Sequence, residues 1–514
     1  MQRTAVIGVD IGTTGCRAVI YLPNGQSLAN FSAEYRLFTP RAGWAEQQPA
    51  DIWQAFITVV HSAVQQSGLP PQAIAGMCFS VAFHSFLAVD AAGEPLCPVL
   101  TWADSRSQPY TEQLKTTIDG KALYHRTGCP LHPMYPLSKA VWLRQERPEA
   151  FRRAAKFISI KEYVIKRLTG QFAVDRSIAS GTGLYNFETL AWDQEALAVV
   201  GITADHLSTV YPTSHVLEGI LPSVAGELGL DSSIAVVLGA GDGAMANLGS
   251  GVVRPGQLTA TVGTSGAVRM LIKQPQTDPQ RRTWCYNLNE EYWMAGAAIN
   301  NGGISLRWVR DQVAADVKQQ AAACGRDPYD LLTEAAANVA PGAEGLLLLP
   351  LFSGERAPYW NADARAVLFG IGLNHETRHI VRAALEGVMF RMYSIFSALE
   401  DVAGQTSEIR VSGSFTRSPL WLSIMADIFG REILAPGEPE GAAFGASAFG
   451  MVALGLLKDL EAIGQLTSIR EIYRPDLTNH ATYRELYDIY LRVYWNLQKE
   501  FHDIAAIQRR PKEK

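Results

Sequence analysis

The stretch "VIGVDIGTTGCRAVIY", Val6 to Tyr21, decides the fold. Apolar, β-branched residues run into a glycine-rich turn, Gly12-Thr13-Thr14-Gly15, and out of it again, which predicts two strands of a hairpin. A carboxylate, Asp10, stands at the mouth of that turn. "PNG" at Pro23 to Gly25 marks a second turn before a third strand from Gln26, so the chain opens as an antiparallel meander. Helical periodicity over 51–66 puts Ile52, Phe56, Val59 and Val60 on one face, and the strand-like run "IAGMCFSV" follows from Ile74. Meander, helix and strand make an α/β unit. Further helices are predicted over 138–145, 148–153 and 160–168, and the longest over 379–399, where three-and-four spacing of apolar residues is core packing.

A second strand series begins at "SIAVVLGAGDG", Ser233 to Gly243, and "GQLTATVGTSGAVRM", Gly256 to Met270. "DIGTTG" at Asp10 to Gly15 and "TVGTSG" at Thr261 to Gly266 match in everything except the acid. Such an internal repeat suggests two homologous domains, each with one glycine and hydroxyl turn, lining a cleft. At 514 residues the chain is in any case too long for one core. The sequence divides into 1–250, 251–455 and a C-terminal helical extension and tail, 456–514, whose end from Gln508 reads as frayed.

Glycines let the backbone approach an anion and free its N–H groups, and threonine and serine hydroxyls add donors. Two facing loops of this kind would clasp a polyphosphate, although one Gly-Thr turn alone can simply close a hairpin. Beside phosphates an ionised Asp10 is repulsive unless a cation intervenes. Mg²⁺ suits the place, because it takes one or two carboxylates along with substrate phosphates and keeps several waters; the plainer reading is that Asp10 caps its own turn. Asp242, between glycines at the end of an apolar strand, is placed to act as a general base toward an alcohol, or as a helix N-cap.

"GWAEQ" at Gly43 to Gln47, "AFHS" at Ala82 to Ser85 and "TWADSRS" at Thr101 to Ser107 form a cluster suited to a polyol. Trp44 and Trp102 can face sugar carbons, while Glu46, Gln47, His84, Asp104 and Arg106 can bond hydroxyls. The G-x-x-x-x-G-K-[ST] loop is absent. Gly239, Gly241 and Ala244 satisfy G-x-G-x-x-A, but the next acid is Asp278, too far on for a dinucleotide site.

Composition is ordinary, with 47% hydrophobic and 18% charged residues and a formal charge of −5, which favours neither nucleic acid nor membrane as a partner. The six cysteines make no C-x-x-C pair and read as buried or free thiols. "LLLLPLF" at Leu346 to Phe352 is too short to span a bilayer, and no cleavable apolar segment opens the chain, so a cytoplasmic location is expected.

Asp10-Ile-Gly-Thr-Thr-Gly15, Trp44-Ala-Glu-Gln47, Trp102-Ala-Asp-Ser-Arg106, Gly241-Asp-Gly243 and Gly263-Thr-Ser-Gly266, in this order, resemble the FGGY carbohydrate kinase family over residues 4–455. "MYPLSKAVWLRQE" from Met134 and "AVLFGIGLNHETRHIVRAALE" from Ala366 resemble its signature segments, the first departing at Ala140, where a larger apolar residue is usual. The resemblance implies two ribonuclease H-like α/β domains of the actin-like ATPase fold, with ATP and Mg²⁺ in the interdomain cleft.

Within the family, "AFHSFLAVD", "RTGCPLHPMYPLSK", "FISIKEYV" and "AAINNGGISLRWVRD" are similar to the members that phosphorylate gluconate, which implies D-gluconate as acceptor and 6-phospho-D-gluconate as product. Kinases for xylulose, ribulose or glycerol are the near alternative; an actin-like ATPase that phosphorylates no sugar is the distant one. By the same resemblance Asp242 is the base, Asp10 the Mg²⁺ contact with Asp242 as the second carboxylate beside it, and Gly12, Thr13, Thr14, Gly263 and Thr264 the β/γ-phosphate loops. Gly413 and Ser414 lie where the family approaches the α-phosphate and adenosine, with Ser414 breaking the usual run of glycines, and the helix from Gly441 is expected to pack behind them. The carboxylate of gluconate needs a cation or strong donors, for which Arg106, Lys161, His84, His132, Asn300 and Asn301 are the candidates. Arg106 and Lys161 can instead hold the domain together, and a homodimer stays open.

Overall fold

The computed structural model describes residues 4–437 and 441–509. Of the tail read as frayed, Gln508 ends a helix, Gln498–Gln508, and residues 510–514 lie outside the described residues. The chain divides into two compact units: Met1–Pro255, Leu271–Ala295 and Gly437–Ser468 form the first, and Gly256–Met270, Gly296–Pro436 and Ile469–Lys514 the second. This differs from the contiguous division at 250 and 455 read from the sequence. By this division the chain returns to its first unit for Gly437–Ser468 and then goes back to the second for Ile469–Lys514.

In the first unit, strands β1 (Ala5–Ile11), β2 (Gly15–Tyr21), β3 (Ser27–Glu34), β4 (Ile74–Val81), β5 (Val216–Glu218) and β6 (Ala235–Gly241) make one sheet in the order β5-β6-β4-β1-β2-β3. The predicted meander is present, antiparallel throughout, and β1, β4 and β6 run parallel to one another. Side chains on a strand alternate faces. Ala5, Ile7, Val9 and Ile11 therefore join the core under the helix Pro49–Ser67, together with Ile52, Phe56, Val59 and Val60. Val6, Gly8 and Asp10 point to the other face.

That second face is covered by the helix Ala442–Ala453, and this is why Gly437–Ser468 belongs to the first unit. Its Ser447 Oγ donates to the Val6 carbonyl at 3.0 Å. The approach is too close for side chains: a Cβ on Gly8 would stand 2.0 Å from the Ala443 carbonyl oxygen, and one on Gly445 would stand 1.9 Å from that of Met245, in the helix Asp242–Gly249. The glycines of this helix fit it to β1 and to the helix that follows β6.

The second unit repeats the plan. Strands β7 (Gln257–Val262) and β8 (Gly266–Ile272) form a hairpin, followed by β9 (Trp293–Ile299), β10 (Glu408–Ser412), β11 (Ile433–Pro436) and β12 (Ile469–Tyr473), in the order β9-β8-β7-β10-β11-β12. As β1 does with β2 and β4, β7 pairs antiparallel with β8 and parallel with β10. The unit boundaries fall inside β8 and β9. The long predicted helix extends over Thr377–Ala403 and is buried along most of its length. Among the described residues all six cysteines are free, and no helix is long and apolar enough to cross a membrane.

Gly445→Ala is expected to destabilise the first unit by about 3 kcal/mol, because the clash is with backbone that cannot move aside. Gly226→Ala, in the helix Pro222–Leu228 with open space around the Cβ position, is expected to raise stability by roughly 0.5–1 kcal/mol through helix propensity. Urea unfolding midpoints of the two variants check both signs.

Candidate active site

Three parallel strands of the first unit end in register: Asp10 lies opposite Ser80 and Ser80 opposite Ala240, with Ile11, Val81 and Gly241 one step on. Ligands of open α/β sheets bind outside such carboxyl ends. Asp10 is the last polar residue of β1, and its Oδ1 accepts from Ser80 Oγ at 2.6 Å. The turn after it is closed by its own backbone, with Gly12 N–H donating to the Gly15 carbonyl at 2.9 Å. Burial pushes the Asp10 carboxyl up to about 6, the Ser80 hydroxyl holding it back and the charge of Asp242 pushing it further.

Asp242 follows β6 directly as the first residue of the helix Asp242–Gly249, whose N-cap is Gly241. The acid therefore does not cap the helix; it sits in the first turn, where the helix dipole favours negative charge. Its Oδ1 accepts from the Gly243 N–H at 2.7 Å. The glycines before it have a reason. A register slip interrupts β6 between Val237 and Ala240, Gly239 takes φ 68°, and a Cβ on Gly241 would meet the Phe83 ring at 2.1 Å. This bulge at the strand end positions the carboxylate.

The first loop is braced from behind. Tyr35 donates its hydroxyl to the carbonyls of Gly12 (2.6 Å) and Gly15 (3.0 Å), Gln47 Nε2 donates to the Thr13 carbonyl (2.6 Å), and Trp102 Nε1 donates to Thr13 Oγ1 (2.9 Å). Thr14 is left exposed at the tip. Trp102 thus touches the loop as well as lying in the predicted polyol cluster.

Two of the predicted cations are engaged inside the fold. Arg106, with a side chain 3% exposed, pairs with Glu46 and Asp104 at 2.7 Å each and lies 3.6 Å over the Trp44 ring, while Asp104 also accepts from the Ala45 N–H. Lys161 pairs with Asp175 at 2.6 Å, both fully buried. His132 Nδ1 accepts from the Met134 N–H at 3.2 Å.

His84 is different. It is half-buried, holds φ 65°, and its Nδ1 is 2.7 Å from the Gly181 carbonyl, so that nitrogen carries the proton and Nε2 is the acceptor of the neutral ring. Tyr135 and Tyr286 flank it, their hydroxyls 2.8 Å apart. Lys139, fully buried, donates to the carbonyls of His84 (2.6 Å) and Thr101 (2.7 Å), and burial pushes its ammonium down to about 7 against the pull of Asp104. Ser80, Lys139, Tyr135 and Tyr286 were not read as site residues, though Tyr135 and Lys139 lie in the signature segment from Met134.

In the second unit, Thr261 stands where Asp10 stands in the first. It lies opposite Ser412 as Asp10 lies opposite Ser80, and the two hydroxyls are 2.8 Å apart, with Arg269 Nη1 donating to Thr261 at 3.2 Å. Gly263 and Thr264 line a cavity of about 640 Å³ shared with Gly303, Arg307, Tyr329, Asp330, Ser414, Arg417 and Trp421. Its size suits a nucleotide-sized ligand. Gly413 stands behind it at φ 97°, where a Cβ would meet the Val262 carbonyl at 2.5 Å. Asn300 donates weakly to Ser353 and Gly354, and Asn301 is buried. Gly303, Arg307, Tyr329, Asp330 and Arg417 were not anticipated.

Residues 5–249 match the N-terminal domain of the FGGY family of carbohydrate kinases and residues 258–454 its C-terminal domain. The chain belongs to this family and is a two-domain α/β sugar kinase, as the resemblance implied. Gluconokinase from Bacillus subtilis (strain 168) is 40% identical to it over 505 residues, 98% of each chain. Among solved structures, gluconate kinase from Lactobacillus acidophilus superposes with a TM-score of 0.91 at 32% identity, and ligand-bound xylulose kinase from Lactobacillus acidophilus with 0.92 at 32%, each covering 97% of this chain and 99% of its own.

A carboxyl whose folded pKa lies above its unfolded one favours the fold only while protonated. The penalty at Asp10 is therefore absent below about pH 4, grows up to about 6 and is constant above. Asp10→Asn is expected to raise the melting temperature at pH 8 and leave it unchanged at pH 4. In ligand-free protein, carboxyl NMR titration should place the Asp10 pKa lower in Asp242→Asn and higher in Ser80→Ala.

Proposed function

We propose that the chain transfers the γ-phosphoryl group of ATP to the 6-hydroxyl of D-gluconate. The observation that carries this reading is the 40% identity to a gluconokinase across 98% of both chains. The strand-end carboxylates agree with it. In this reading Asp242 accepts the proton of the 6-hydroxyl as its oxygen bonds to phosphorus and the bond to the β-phosphate oxygen breaks, releasing ADP. General-base catalysis contributes typically 10²–10⁴-fold, while alignment of the two substrates accounts for roughly 7–11 kcal/mol of the barrier.

The donor set fits Mg²⁺. Asp10 and Asp242 are close enough for one charge to raise the pKa of the other, and an ion held by one or two carboxylates plus phosphate oxygens relieves that repulsion. Bound there, Mg²⁺ would neutralise charge on the phosphates. Thr13 and Thr14, and separately Thr264, offer N–H and hydroxyl donors to the β- and γ-phosphates, while Gly12 and Gly263 spend their N–H groups on the Gly15 and Ser265 carbonyls and close the two loops; the cavity containing Ser414 takes the adenosine end. His84 Nε2 and Trp102, both in the first unit, are the groups offered to the sugar acid. Asp104, Arg106 and Lys161, held in buried ion pairs, keep that wall in shape.

ADP release with a panel of acceptors tests the substrate. Gluconate is expected to exceed xylulose, ribulose and glycerol in kcat/KM by at least about 100-fold; equal or better turnover with xylulose would assign the chain to the other branch of its structural neighbours. For the roles, Asp242→Asn is expected to lower kcat by about 10³-fold or more with Mg-ATP binding nearly unchanged. Asp10→Ala is expected to raise the Mg²⁺ concentration needed for half-maximal turnover while leaving gluconate binding intact. Retained turnover in Asp242→Asn would remove it from the role of base.

A further inference from the structure

Asn301 has the sequence context of a substrate contact, but its side chain is spent inside the second unit. It is 4% exposed. Its Oδ1 accepts from the Ser353 N–H (3.2 Å) and Ser353 Oγ (2.9 Å), and its Nδ2 donates to the Gly354 carbonyl (3.0 Å). All the strong hydrogen-bonding directions of a primary amide but one are thereby used.

The two residues after it grip the second phosphate loop by backbone alone. Gly302 N–H donates to the Thr264 carbonyl at 3.1 Å and Gly303 N–H to the Gly263 carbonyl at 2.7 Å. No other residue type fits there, since a Cβ on Gly302 would stand 2.5 Å from the Ser265 carbonyl oxygen and one on Gly303 2.8 Å from that of Gly263. On the far side of the amide, Glu355 is buried and pairs with Arg391 at 2.5 Å, in the helix Thr377–Ala403. A continuous set of contacts therefore runs from that helix through Glu355, Gly354 and Asn301 to the loop.

We propose that Asn301 is a positioning residue for the Gly263-Thr264 loop, bracing it against the Ser353–Glu355 segment, and that it does not touch the sugar acid. The inference rests on the reading of that loop as a phosphate site. A loop held in this way keeps its donors aligned before the nucleotide arrives, so loss of the brace is felt in ATP use and not in acceptor binding.

Steady-state kinetics of the full chain, with ATP and gluconate varied separately, test it. Asn301→Ala is expected to raise KM for ATP about tenfold and lower kcat by a similar factor, with KM for gluconate within twofold of the parent. Ser353→Ala removes one part-buried hydrogen bond from an exposed residue, should fold normally, and is expected to raise KM for ATP two- to fivefold. A tenfold rise in KM for gluconate with ATP kinetics unchanged would make Asn301 a substrate contact and overturn the proposal. So would a fall in melting temperature without kinetic change in both variants. If Asn301→Ala does not fold, Ser353→Ala decides alone. Thr264→Ala serves as the separate check: unchanged ATP kinetics there would fail the phosphate reading itself, whatever the two brace variants show.

Discussion

A carboxylate at the end of a buried strand is unfavourable unless the fold compensates for it, and Asp10 is compensated first by the Ser80 hydroxyl and then by the charge of Arg17. The Ser80 hydrogen bond exists because β1 and β4 run parallel with Asp10 opposite Ser80. The same register carries through β4 to β6, bringing Asp242 near enough to repel Asp10. The fold thus holds two acids at one edge against their preference. Strain of this kind is tolerated where function needs it and the surroundings over-determine the geometry. Removing the charge of Asp10 should stabilise the protein, which separates this site from an ordinary structural ion pair such as Lys161 with Asp175.

What over-determines the geometry is close backbone packing. The helix Ala442–Ala453 presses glycine against β1 and against the helix that starts at Asp242, so the strand carrying one acid and the helix carrying the other share a single lid. Buried side chains fix the rest. Lys139 donates to the carbonyls of His84 and Thr101 and so joins them, and Arg106 with Asp104 ties Ala45 and Glu46 to the same wall. Both of these cations are matched by acceptors, as the cost of desolvation demands. The polar residues of "TWADSRS" that look free in sequence are therefore largely occupied by one another.

The hairpin, the meander and the repeated loop were legible because they rest on local turn chemistry and period-two patterning, which a single sequence carries. The family resemblance rested on the same segments and was upheld along the chain. Ser80 was not legible, since its partnership with Asp10 depends on register between strands far apart in sequence. Nor was the passage of Gly437–Ser468 back to the first unit: "GAAFGASAFG" reads as a small-residue helix, and only the backbone it meets explains its glycines. Asn301 and Arg106, both read as candidates for the gluconate carboxylate, show the converse difficulty. Polar residues in a sugar-kinase motif look like ligands, whereas burial and completed hydrogen bonds make them fasteners. Arg307, Tyr329 and Arg417 come from segments without a phosphate-loop pattern, so nothing local pointed to their common cavity.

The repeat itself gains meaning from the matching positions. Both units keep a serine on the neighbouring parallel strand, Ser80 in the first and Ser412 in the second, facing the residue just before the loop. In the first unit that residue is the acid Asp10; in the second it is Thr261, whose hydroxyl meets Ser412 and accepts from Arg269. One scaffold therefore presents two electrostatic characters. An acid paired with a second acid asks for a cation, while a neutral hydroxyl with a guanidinium beside it tolerates an anion without one. Thr261 thus keeps the second edge neutral where Asp10 charges the first, while the backbone of the two loops keeps one plan, each closed by its first glycine N–H on a carbonyl two or three residues on.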